Sequence, residues 1–130
     1  MRRSITVALA GLLVAVAPAQ AAPPVSGEAK LAKALEGRIA GEPVDCLNLR
    51  SIRSTRIIDG TGILYDAGST IYLNRPTSGA ESLDRWDTLV TRLHSTRLCS
   101  IDVVHLYDSG SQMQQGFVFL GDFVPYRRAR

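Results

Sequence analysis

The sequence predicts a mostly β domain with a minor α component: a small antiparallel barrel or sandwich, preceded by one N-terminal helix and tied by one disulfide. Three observations predict it. From Cys46 onward, apolar residues recur with period two in short runs separated by turns rich in Gly, Asp and Ser. Ahead of Cys46, one stretch instead has a period of four. The chain also holds two cysteines, Cys46 and Cys99, too far apart for C-x-x-C chemistry.

The first residues read Met1-Arg2-Arg3, then the apolar run Ile5 to Ala17, then Pro18-Ala19-Gln20-Ala21. A basic n-region, a short h-region and an A-x-A site make residues 1–21 a secretory signal peptide, cleaved after Ala21. The apolar run is shorter than the roughly 20 residues of a membrane span. The expected location is therefore periplasmic or secreted, with no stable membrane insertion after cleavage. In an exported domain of this size, two cysteines read as a disulfide rather than a metal or redox site. The net charge of +3 over 130 residues counts Arg2 and Arg3, so the exported part is close to neutral. Acidic and basic side chains are interspersed, except in the basic tail 127–130. A nucleic-acid partner needs a basic face with interleaved aromatics, which this pattern excludes.

Residues 22–44 read as a short extended leader and a helix. Ser26 is a helix cap, and Leu31, Leu35 and Ile39 form one stripe of a helix running to about Ala40. Gly41 and Pro43 stop it. Residues 45–126 form the β domain. Asp59-Gly60-Thr61-Gly62 separates Ile52–Ile58 from Ile63-Leu64-Tyr65 as a hairpin turn, and Asp66-Ala67-Gly68-Ser69 leads into the run Thr70–Asn74. Further runs cover Thr88–Leu93, Leu98–Leu106 and Gly116–Val124. Cys99, Ile101 and Val103 are expected on one core-facing side, and Phe117, Phe119 and Phe123 on another single face, with Gly121 at a bulge or close approach.

Two connections break the regular spacing. The stretch Arg75–Asp87 carries Pro76, Gly79 and the only tryptophan, Trp86; the stretch Tyr107–Gln115 is polar. Long loops on a rigid β scaffold are where binding surfaces sit, so these two form the expected contact surface. Ser78, Gly79, Ala80 and Trp86 are its candidate binding residues.

The chain offers little chemistry. A hydrolase site would have to be assembled from Ser109 or Ser111, His94 or His105, and Asp102 or Asp108, but Asp108-Ser109-Gly110 is also ordinary turn chemistry. No strand–elbow–helix context of the G-x-S-x-G kind surrounds it. Asp59-Gly60-Thr61-Gly62 lacks the lysine and helix of a phosphate loop. The reading is no catalytic residue, no metal and no cofactor.

Asp45-Cys46-Leu47, Tyr72-Leu73-Asn74-Arg75, Leu98-Cys99-Ser100-Ile101-Asp102 and Leu120-Gly121-Asp122-Phe123-Val124-Pro125-Tyr126 resemble small exported proteobacterial proteins of a domain-of-unknown-function family. That resemblance implies a periplasmic protein with paired cysteines and supplies no activity. Ser78-Gly79-Ala80 is also similar to the loop that periplasmic inhibitors of c-type lysozyme, small disulfide-bonded β-barrels, present to the enzyme. Glu81-Ser82-Leu83 follows here, where the inhibitors carry an aromatic and a lysine-bearing segment. The expected function is a non-catalytic binding or envelope-associated module for an envelope protein or cell-wall component. The alternatives are an inhibitor of a cell-wall hydrolase and, third, a small hydrolase.

Overall fold

The computed structural model describes Gly11, residues 14–21 and residues 25–130, so the signal segment expected at 1–21 lies largely outside the described residues. The Oγ of Ser26 accepts the Ala29 N–H at 3.2 Å and starts helix α1, Gly27–Ala34. Glu28 in its first turn and Lys33 in its last oppose the helix dipole in the favourable sense. Leu31 and Leu35 are buried as the stripe requires.

The helix does not run on to Ala40. Gly37 takes a left-handed φ of 73° and turns the chain, and Arg38–Ala40 becomes strand β1. Ile39 is 64% exposed there and belongs to no helical stripe. Sheet hydrogen bonding to the C-terminal strand outweighs a local spacing that merely continued through Gly37.

Nine further strands follow: β2 (Cys46–Asn48), β3 (Ser54–Ile58), β4 (Gly62–Asp66), β5 (Thr70–Asn74), β6 (Asp87–Val90), β7 (Arg97–Cys99), β8 (Val103–Asp108), β9 (Gln114–Phe119) and β10 (Phe123–Arg128). They form a five-stranded sheet in the order β1-β10-β5-β4-β3, a three-stranded sheet β6-β8-β9 and a ribbon β2-β7. Every pairing is antiparallel. The sheets do not close into a barrel; of the two expected architectures, the sandwich fits. Gly60 and Gly68, both at positive φ, make the β3–β4 and β4–β5 turns, and the Asp66 carboxylate accepts the Gly68 N–H at 2.7 Å.

Both faces of the five-stranded sheet are covered. One face packs Ile57, Ile63, Tyr65 and Phe123 against Leu98, Val104, Leu106 and Val118 of the smaller sheets. The other packs Ile58, Leu64 and Leu73 beneath Leu31 and Leu35 of α1. The result is three layers: helix, large sheet, small sheets.

Two expected strands are each broken in two. Leu98–Leu106 divides at Ser100–Asp102, where the Asp102 carboxylate accepts the Cys99 N–H at 2.7 Å. Ile101 falls on this turn and is 86% exposed, so it does not share a core face with Cys99 and Val103. Gly116–Val124 divides at Leu120–Asp122. Phe117 and Phe119 stay on the outer side of β9, whereas Phe123, one turn later, is fully buried. The cause is a fully buried amide. Asn74 Nδ2 donates to the Gly121 carbonyl at 2.6 Å, and its Oδ1 accepts the Gly121 N–H at 3.0 Å. Gly121 sits so close to the Arg75 carbonyl that a Cβ would lie 2.5 Å from that oxygen. This is the close approach expected at Gly121.

Cys46 and Cys99 are joined. They lie directly opposite each other in the β2–β7 ribbon, with Cα atoms 4.0 Å apart, between the bonded pairs Asp45–Ser100 and Leu49–Thr96. A two-stranded ribbon alone is marginal in water, so the bond and the core contacts of Leu47 and Leu98 hold it.

Two stability measurements test this account. Closing a loop across 53 positions should stabilise the fold by about 4 kcal/mol in the chain-entropy model. The double variant Cys46→Ala/Cys99→Ala should therefore lose about 2–5 kcal/mol in urea unfolding; an unchanged midpoint contradicts it. Asn74→Ala strands both polar groups of the buried Gly121 backbone and should cost about 2–4 kcal/mol. A loss below about 0.5 kcal/mol would show that the amide does not hold the β9–β10 turn.

Candidate functional site

The Arg75–Asp87 connection is fastened at both ends. The Thr77 N–H donates to the Phe119 carbonyl at 2.9 Å, and the Phe119 N–H to the Ser78 carbonyl at 3.0 Å. Ser78 thus bridges to the outer edge of β9. Gly79, at φ 86°, packs over the Phe117 carbonyl in space that a Cβ would fill, and Ala80–Ser82 form a 3-10 turn beside Gly116. This stretch covers a sheet edge that would otherwise expose unpaired backbone groups. Of the candidate residues, Ser78 is exposed, while Gly79 and Ala80 are half-buried against β9. Smallness at Gly79 serves close packing within the chain.

Leu83 plugs the core, and its carbonyl accepts the Gly60 N–H at 3.0 Å. The Arg85 N–H then donates to Asp59 Oδ1 at 2.6 Å, and the Trp86 N–H to Asp84 Oδ1 at 2.8 Å. These bonds hold Trp86 at the surface, 66% exposed, with the Arg85 guanidinium 5.7 Å from its ring centroid. A cation over an indole face is attracted by the ring quadrupole and steadies both side chains.

The structure brings the two connections together. The Ser109 N–H donates to the Trp86 carbonyl at 3.2 Å. The second connection is shorter than expected, a five-residue turn between Asp108 and Gln114. Where they meet lies a cleft of about 360 Å³ bordered by Glu81, Asp84, Trp86, Asp87, Asp108 and Gln115. Four carboxylates and one exposed indole thus line the same cleft.

Two of these carboxylates are register partners across β6 and β8, Asp87 opposite Asp108, and their environments differ. Burial pushes the Asp87 carboxyl above the usual carboxylate range, and the neighbouring Asp84 and Asp108 charges push it the same way, against one backbone hydrogen bond from Asp84. Its Oδ2 is buried without a hydrogen-bond partner. Asp108 is held below the usual range, chiefly by the N–H and hydroxyl of Ser111 and further by the Gly110 N–H. Those N–H groups lie at 2.6 and 3.1 Å from its Oδ1. One carboxyl has a single backbone donor and a bare oxygen, and the other has several donors. The cleft as a whole attracts cationic groups and hydrogen-bond donors.

Comparison with protein-family models, curated proteins and solved structures gives no match. The geometry alone carries the reading. Of the residues of the hydrolase alternative, Asp108 and Ser111 bond each other, but no histidine joins them. Asp102 caps its turn, Ser111 Oγ accepts the Met113 N–H at 3.3 Å, and His105 lies beside Gln114 and Phe117. No Ser–His–Asp relay joins them among the described residues. Nor do three His, Cys, Asp or Glu side chains group to hold a metal ion among the described residues.

Sequence reasoning named Trp86 and the two connections but missed Glu81, Asp84 and Asp87 as parts of one site. The only signal was the Asp84-Arg85-Trp86-Asp87 cluster of charge around an aromatic.

Asp87 yields a pH test. A carboxyl whose folded pKa is raised favours the folded state below its unfolded value and loses that contribution as pH rises through the folded value. At neutral pH the charged form therefore weakens the fold. Asp87→Asn should raise the melting temperature near pH 7, with the gain disappearing near pH 3; a gain independent of pH, or none, contradicts the assignment.

Proposed function

We propose that the chain is an exported, non-catalytic binding module of the cell envelope, and that it meets an envelope protein or cell-wall component at the Trp86 cleft. The observation that carries this reading is the exposed indole, set among four carboxylates on a connection latched to two sheets. Exposed aromatics on a preorganised surface are effective anchors, because little conformational freedom is lost on contact. The surrounding charge favours a partner presenting ammonium, guanidinium or hydroxyl groups. Export is supported by the Cys46–Cys99 bond, since such bonds persist in oxidising compartments, and by the signal-like residues 1–21.

Residues 22–130 should be used as bait for cross-linked capture from envelope fractions, alongside Trp86→Ala and Glu81→Gln baits. Trp86 is exposed, so its truncation should leave stability within about 0.5 kcal/mol. The expected result is an envelope component retained by the native bait and lost with Trp86→Ala. Because Trp86 is the single tryptophan, its fluorescence should also shift to shorter wavelength when that component is added. Equal capture by all baits, or none by the native one, overturns the reading.

A further inference from the structure

A second cavity lies away from the Trp86 cleft, along the flank of α1. The helix has only eight residues, about 12 Å of length, and does not roof the whole outer face of the large sheet. Beside it a crease of about 460 Å³ opens over β3. Its floor is apolar: Ala34 of the helix and Ile58 of the strand, while Ile57 borders it at the strand edge with its side chain turned into the opposite core. Its rim is cationic: Lys30, Lys33, Arg56 and Arg85.

The only acidic group on the rim is Asp59, and it is already engaged. Lys30 lies 3.8 Å from its carboxylate, Arg85 Nε lies at the same distance, and the Arg85 backbone N–H bonds it as well. Lys33 and Arg56 are in no ion pair among the described residues. One carboxylate among four cations leaves a positive excess over an apolar floor. A cation placed beside desolvated aliphatic surface meets less screening than one in open water.

The crease also continues. Past Arg56 a smaller hollow of about 130 Å³ runs over Leu64 and Ile71, again beside Ala34 and next to Ser54. Asp66 at its far end is engaged by the Gly68 N–H. Ala34 and Arg56 therefore border both hollows.

From this we infer that the α1–β3 crease binds a single-chain anionic amphiphile, its aliphatic tail lying over Ala34 and Ile58 and its anionic head held by Lys33 and Arg56. The volume is in the range of small-ligand sites. The guanidinium of Arg56 offers paired donors to either a carboxylate or a phosphate. The two sources of such a ligand, a free fatty acid and a lysophospholipid, share this chemistry and are separable by experiment. The inference does not rest on the Trp86 cleft.

Isothermal titration should be run on residues 22–130 with laurate, lauroyl-lysophosphatidylglycerol, dodecyltrimethylammonium and dodecyl maltoside, each below its micelle concentration. At least one anionic amphiphile should bind at least tenfold more tightly than the cationic and neutral ones, and which anion does so identifies the source. Lys33→Gln/Arg56→Gln should weaken that binding at least tenfold while circular dichroism and melting temperature stay unchanged. Ala34→Trp, which fills the floor, should abolish it without altering the charge. Absence of anion binding, equal binding of the cationic or neutral amphiphile, or full binding by the charge variant overturns the inference.

Discussion

Strand β4 is buried on both faces, and the arrangement of the whole domain depends on it. Ile63 and Leu64 are neighbours in the chain but lie in different cores, Ile63 against the small sheets and Leu64 beneath the helix. A strand alternates its side chains, so a strand covered on both sides must be apolar at every position. Gly62-Ile63-Leu64-Tyr65 meets that demand, including a glycine where the Asn74 carbonyl comes close. A slip of one residue would exchange the contents of the two cores. The pairings Ile57–Ile63 and Leu64–Leu73 hold the register that keeps them separate.

The β9–β10 reversal rests on a buried polar contact more than on turn residues. Asn74 satisfies both polar groups of the Gly121 backbone, which lets β10 leave β9 and join the large sheet. The 77–82 stretch covers β9, and the Asp59 carboxylate receives the next segment at the Arg85 N–H. A long connection thereby becomes a fixed part of the sandwich. Its fixed geometry is what holds an indole in solvent.

Asp59 also links the two clefts. It bonds the backbone of Arg85, lies near the side chains of Arg85 and Lys30, and sits on the rim of the cationic crease. Arg85 in turn covers one face of Trp86, which borders the acidic cleft. Two surfaces of opposite sign are thus separated by a single Arg–Trp pair on a molecule whose total charge is small. The separation arises from folding, because acidic and basic residues are mixed along the chain.

The sequence by itself determined the class of the domain: the helix start at Ser26, the β3–β4 and β4–β5 hairpins, the two-residue alternation and the cysteine pair. Each of these is local or compositional, written in a cap, a turn or a periodicity. Tertiary structure alone decided where the helix ends, because Arg38–Ala40 gains a partner strand more than 80 positions away in β10. It also decided the break after Phe119, since an unbroken run of alternating residues looks the same whether or not a distant asparagine caps its middle. The candidate site follows the same division. Trp86 stands out in the sequence as the lone tryptophan of a long connection, but Asp87 and Asp108 become neighbours only through the β6–β8 register. Lys33 and Arg56 likewise share a rim only because a short helix lies across the edge of a sheet. Contacts between segments distant in sequence leave no local periodicity, and it was those contacts that assembled both clefts.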